Sequence, residues 1–280
     1  MTWLAEPFAL DFVQRALVGG SLVAILCGVV GTWVVIRGMA FLGEALAHGM
    51  LPGVALATVL GFPVLIGATL SAVAMSAGIG ALRRRGRLSY DTSIGMLFVA
   101  MLAIGVIVIS HSGSFATDAT AILFGDILAI SGSDLVVLAV ATTAGVALAV
   151  VAHRPLVALA IDSRTAAVLG LAPRAAQTAL VALVTLAIVA SYQAVGSLLV
   201  VGLLLAPAVA AGQWTSRIPT RMLLAAALGV VAVAAGLLLS WHAGTAAGAS
   251  VAVVAISLAA GSWLARAARD SVRASPLPAT

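Results

Sequence analysis

Nine stretches of mostly apolar residues, each about as long as a bilayer is thick, follow one another along this 280-residue chain. They fall near 14–36, 42–60, 63–82, 92–110, 133–152, 174–192, 194–213, 221–241 and 245–265. A helix needs about 17–25 residues to cross the hydrocarbon core, and each stretch has them. The chain is 63% hydrophobic and 8% charged. A soluble domain carries about 25% charged residues, and no soluble core of this length hides so much apolar surface. That excludes a cytosolic enzyme, a secreted disulfide scaffold and a disordered protein. The expected fold is an all-α polytopic membrane protein: one domain over 1–280, with a bundle at 14–265 and a tail at 266–280.

The charges give an orientation. All 14 basic residues are arginine. Without lysine there is no P-loop, so any ATP must be bound by another chain. Loops after the first, third, fifth, seventh and ninth stretches hold Arg37; Arg83, Arg84, Arg85 and Arg87; Arg154, Arg164 and Arg174; Arg217 and Arg221; and Arg266, Arg269 and Arg273. The other loops hold none, apart from Arg15 at the start of the first span. The positive-inside rule then puts the N-terminus outside and the C-terminus in the cytoplasm, which requires an odd number of spans. The basic excess reads as this topology signal rather than as a nucleic-acid surface. Glu6 and Asp11 replace the basic start of a signal peptide, so none is expected. The one cysteine, Cys27, reads as a small core residue.

Two apolar segments are too short to span. Residues 119–130 lie on the outer side and read as a re-entrant or surface helix. Residues 156–171 lie on the inner side, where Asp162 or Ser163 can cap a short helix and Gly170 can end it. Apolar surface there suits either a protein partner or lipid.

Ionisable groups within a span are costly and mark function by default. Glu44 and His48 stand four apart, on one face of a helix. Pro52 removes a backbone donor nearby, and Gly49 and Gly53 permit close helix approach. A carboxylate and an imidazole at a broken helix suit a divalent cation or a proton, or else form a pair that only packs the bundle. Two ligands are few for a tight site; a twofold dimer would supply four, matching tetrahedral Zn²⁺ or hydrated Mn²⁺. A secondary cation/proton exchanger using the same two residues as a relay is the alternative. Asp91 reads as a helix cap, His111, Asp118 and Asp126 as solvated loop residues, His242 and Trp241 as part of an interfacial belt, and Tyr192 and Gln193 as lining an entrance. Pro207 is expected to kink its span.

The run Gly38-Met39-Ala40-Phe41-Leu42-Gly43-Glu44-Ala45-Leu46-Ala47-His48-Gly49-Met50-Leu51-Pro52-Gly53-Val54-Ala55 resembles the signature of bacterial zinc/manganese/iron ABC importer permeases. Asp91-Thr92-Ser93-Ile94-Gly95, Leu123-Phe124-Gly125-Asp126-Ile127-Leu128 and the run from Val195 to Ala208 agree with it in order and spacing. The resemblance implies a fold related to the vitamin B12 and siderophore importers. It also implies a homodimer in the bacterial cytoplasmic membrane, docked to cytoplasmic ATPase subunits and fed by an extracytoplasmic metal-binding receptor. No permanent cofactor is implied; Zn²⁺ or Mn²⁺ is cargo. Glu44 and His48 take the place of the family's acid–histidine pair. The acid in relatives is usually Asp, and Glu44 reaches one methylene further. The gate then falls on Phe124, Gly125, Asp126 and Pro207, and the coupling to ATPase on Asp162, Ala166, Leu169 and Gly170.

Overall fold

The computed structural model describes residues 6–85, 89–110, 125–162, 167 and 170–274. Its helices are α1 (Asp11–Ile36), α2 (Ala40–Gly49), α3 (Leu51–Leu60), α4 (Val64–Arg85), α5 (Tyr90–Ser110), α6 (Gly132–Val151), α7 (His153–Ile161), α8 (Pro173–Gly212), α9 (Ile218–Ala243) and α10 (Ala247–Ala274). Among the described residues, 9 helical segments are long and apolar enough to cross a membrane, as the sequence predicts. α2 and α3 together make one of them, Ala40–Leu60, and α8 makes two, Pro173–Tyr192 and Ala194–Gly212.

α8 is a 40-residue helical run, about 60 Å if straight and twice the depth of a bilayer. It is not straight. Gly196 takes φ 75°, ψ 163°, outside helical space and open only to glycine. Contacts along the run show that the chain turns back there. Gln177 reaches Met39, at the arginine-bearing end of α1. Gly196 abuts Gly125, beyond the opposite end. Ala208 and Ala211 return to pack with Val35 at the arginine-bearing end. Pro207, by contrast, sits within continuous helix, and Gly196 is the residue in α8 that leaves helical φ/ψ.

α1 is the central post. Its small residues bring other backbones in: a Cβ at Gly31 would run into the Leu204 carbonyl of α8, and one at Gly28 would meet the Ala226 nitrogen of α9 at 2.6 Å. Trp33, Leu26 and Val30 on α1 are fully buried. Lipid offers no hydrophobic reward for helix association, so such close packing has to hold the bundle. The buried Cys27 thiol contacts the Val200 carbonyl at 3.9 Å, as a core residue should.

Several described arginines meet at one end. Arg37 donates to the Leu159 carbonyl, Arg221 to the Ala208 carbonyl and Arg266 to the Gln213 carbonyl, while Arg269 lies over the Trp214 ring. Three of these carbonyls lie at or just past helix C-terminal turns, where the macrodipole favours cations.

Local details correct two expectations. Ser89, not Asp91, caps α5: its hydroxyl accepts the Thr92 N–H at 3.1 Å, and Asp91 lies in the first turn. The short helix expected beyond Asp162 or Ser163 falls mostly outside the described residues; α7, ahead of it, starts at His153, where Ala152 continues almost directly from α6 and Pro155 suits a first turn. It ends at Ile161, and Asp162 is extended. Tyr192 lines no opening; it is buried, and its hydroxyl has no hydrogen-bond partner among the described residues.

The packing of α1 generates a test. Gly31→Ala should lower stability by about 1–3 kcal/mol through overpacking, whereas Gly261→Ala, with open space around its Cβ, should not. Thermal unfolding of the purified protein in detergent reads the difference, and equal midpoints would refute the close approach.

Candidate metal site

The second span is built to break. α1 closes with Gly38 in the left-handed region (φ 64°), where the Met39 N–H reaches back to the Val34 carbonyl at 2.9 Å. α2 starts at Ala40 and stops at Gly49, and α3 resumes at Leu51. Pro52 lies in the first turn of α3 and cannot donate to the His48 carbonyl. The Met50 N–H turns to that carbonyl instead. The neighbouring Gly49 carbonyl accepts from the buried Ser71 hydroxyl of α4 at 2.8 Å. The proline therefore breaks the helix as expected, but the carbonyls it disturbs are taken up within the chain.

Neighbouring helices cover the break at close range. A Cβ at Gly53 would run into the Gly67 carbonyl of α4, and one at Gly49 into the Met75 sulfur. The glycine pair thus serves contact inside one copy of the chain. On the other side, a Cβ at Gly105 of α5 would meet the Pro52 nitrogen at 3.1 Å.

Within this frame Glu44 and His48 do share a face. His48 Nε2 lies 2.8 Å from Glu44 Oε1. The side chains are 18% and 35% exposed respectively, so the pair is half-buried at a surface rather than sealed in the core. Phe98 of α5 fixes the imidazole from one side, ring centroids 5.7 Å apart and nearly edge-to-face. The same ring meets the exposed Phe41 at 5.7 Å. His48 stands about 12 Å along the helix from Ala40, within the membrane and nearer the arginine-bearing end. Both side chains present lone pairs: a carboxylate oxygen and, in the neutral ring, an imidazole nitrogen. Among the described residues, no group of three or more His, Cys, Asp or Glu gathers in one place. One chain therefore offers two ligands here, an incomplete set.

Phe124, Ala166 and Leu169 lie outside the described residues, as do His111 and Asp118. Gly125 (φ 58°) packs its backbone against Gly196, and the Asp126 carboxylate accepts the Leu128 N–H at 3.0 Å, capping a single 3₁₀ turn. Ile127 and Ile130 of this segment are buried against Gly20 and Gly19 of α1. Pro207 is buried near the opposite, arginine-bearing end. Asp162 and Gly170 flank the segment after α7; Gly170 takes φ 71° and donates to the Ala167 carbonyl at 3.1 Å, a helix-ending geometry. Ser71, Phe98 and Gly105 escaped notice in the sequence. The signal for the first was present: Gly67, Ser71 and Met75 repeat every four residues on α4, opposite Gly53 and Gly49.

Comparison with known proteins decides the family. A model of the ABC-3 family, described as the ABC 3 transport family, matches residues 9–265. The chain belongs to this family. It is 36% identical over 253 residues to the manganese transport system membrane protein MntC of Halalkalibacterium halodurans, covering 89% of this chain and 85% of that one. It is 33% identical over 240 residues to a protein of Haemophilus influenzae named for iron transport, covering 86% and 88%. In structure it is similar to PsaBC from Streptococcus pneumoniae, solved in complex with Fab, with TM-score 0.82, 30% identity and coverage of 93% and 94%. An inward-facing ABC transporter of metal-chelate type shares the fold, with TM-score 0.68 at 16% identity. The chain is thus a multi-pass membrane permease of an ABC system, a transport subunit. Nothing in these relatives supports the exchanger alternative.

The geometry of the break generates a test. Ser71→Ala leaves the Gly49 carbonyl without its donor beside the Glu44–His48 turn and should cost about 1–3 kcal/mol. A thermal unfolding midpoint in detergent unchanged from the parent would refute that role.

Proposed function

We propose that this chain is the membrane-spanning subunit of an ATP-binding-cassette importer for a divalent transition metal, with Glu44 and His48 as its transient ion site. The observation that carries the reading is the pair itself: two potential ligands 2.8 Å apart, half-buried within a span at a helix break. Mn²⁺ is the favoured cargo. The names of several relatives carry manganese, others iron. Zn²⁺ has support only from the borderline chemistry of a carboxylate with an imidazole.

Two ligands per chain favour a homodimer in which the pairs of both copies face a shared path and make four. The segment at 119–130 gates the outer mouth through Phe124, Gly125 and Asp126, and Pro207 belongs to the moving span. ATPase subunits bind in the cytoplasm against the segment holding Asp162, Ala166, Leu169 and Gly170. A receptor outside the membrane hands over the ion. The positive-inside rule places the arginine-bearing end in the cytoplasm of a bacterial cell and the N-terminus outside. An incomplete site suits transport, because the ion has to leave as readily as it enters.

In membrane vesicles holding the full complex, His48→Ala should abolish ATP-dependent Mn²⁺ uptake while the complex still assembles. Glu44→Gln should reduce uptake at least about tenfold, since a neutral amide oxygen is a weaker ligand than a carboxylate. Normal uptake by His48→Ala would sink the site assignment.

A further inference from the structure

Two side chains from the last turns of α1 grip the short helix α7 at both ends. Trp33 and Arg37 are four apart and share one face of α1. The fully buried Trp33 ring meets the His153 ring at the start of α7, centroids 5.6 Å apart at 63°. Arg37 Nη1 donates to the Leu159 carbonyl near the end of α7 at 2.6 Å, a contact spanning 122 residues of sequence. A guanidinium on the last carbonyls of a helix combines a charge-assisted hydrogen bond with the favourable end of the helix dipole. On its other side Arg37 is the C-cap residue of α1, followed by Gly38 in the left-handed region and then by Met39, the N-cap of α2. The chain from the Leu159 carbonyl to the Glu44–His48 pair is therefore short: one guanidinium, one glycine joint and the first turns of α2. α7 itself runs into Asp162 and the segment proposed to meet the ATPase.

We propose that Arg37 is a positioning residue that carries movement of α7 to the α2 helix and so ties the state of the ion site to the state of the ATPase. This rests on the importer reading above. A cation is suited to the task because it holds a backbone carbonyl, which remains as a target whatever side-chain rearrangements α7 undergoes. Gly38 supplies the joint: its φ of 64° is a conformation open to glycine without strain, and a Cβ there would meet nothing within 4 Å, so glycine is present for its backbone and not for space.

The test uses proteoliposomes holding this chain with its cognate ATPase subunits, and Mn²⁺ as the probe. Mn²⁺ uptake, ATP hydrolysis and the amount of assembled complex are measured together. Arg37→Met keeps the aliphatic stem and removes the donor. It should leave assembly and hydrolysis near parental levels and raise ATP consumed per ion about tenfold, within the usual range of allosteric coupling. Arg37→Lys, which restores a cationic donor, should recover part of the ratio. A parental ratio in Arg37→Met overturns the proposal. If Arg37→Met does not assemble, His153→Ala decides in its place: a raised ratio supports the clamp and a parental ratio overturns it. His48→Ala, run alongside, separates the two readings. Normal uptake in that variant removes the ion site regardless of Arg37, whereas lost uptake with a parental ratio in Arg37→Met leaves the importer standing and removes only the clamp.

Discussion

Inside a bilayer a backbone N–H or C=O has no water to turn to, so each interruption of a helix has to be closed by the protein itself. The architecture follows from how three interruptions are closed. At Gly38 the carbonyls of α1 are taken by the backbone of the turn. At Met50 the Ser71 hydroxyl and the Met50 N–H take the carbonyls that Pro52 disturbs. At Gly196 the reversal is backed by the backbone of Gly125. The interruptions at Met50 and Gly196 are met by small residues of a neighbouring segment, and those small residues set which parts of the chain touch. The ion-site residues lie between the first two interruptions, on a helix of 10 residues.

Much of this was legible from composition and spacing. Span length and the arginine pattern predict nine crossings because hydrocarbon thickness and charge asymmetry act on one segment at a time. Glu44 and His48 were legible for the same reason: a four-residue spacing is a local property of a helix, and the 2.8 Å contact follows from it. The break near Pro52 was readable too, since the missing donor belongs to one residue.

What the sequence hid depends on contacts between distant segments. The reversal within α8 is made by Gly196, which was not singled out in the sequence, because it needs a positive φ. The Gly49/Gly53 motif signalled close approach without saying to what; the answer is α4 of the same chain. Asp91 and Ser89 are equally good caps on paper, and only the hydrogen bond to Thr92 separates them. Arg37 was read as one more topology charge, and its grip on the Leu159 carbonyl depends on a residue 122 positions away.

The chain's single thiol has a practical bearing. Cys27 is wholly enclosed between α1 and α8, with no surface for a water-borne reagent to approach. Thiol-directed dyes and spin labels therefore find nothing to modify on the native fold. A cysteine introduced at the Phe41 face or along α7 becomes the sole labelled position without first rebuilding a cysteine-free background. Distances within the working transporter are thus open to spectroscopy on an otherwise unaltered chain.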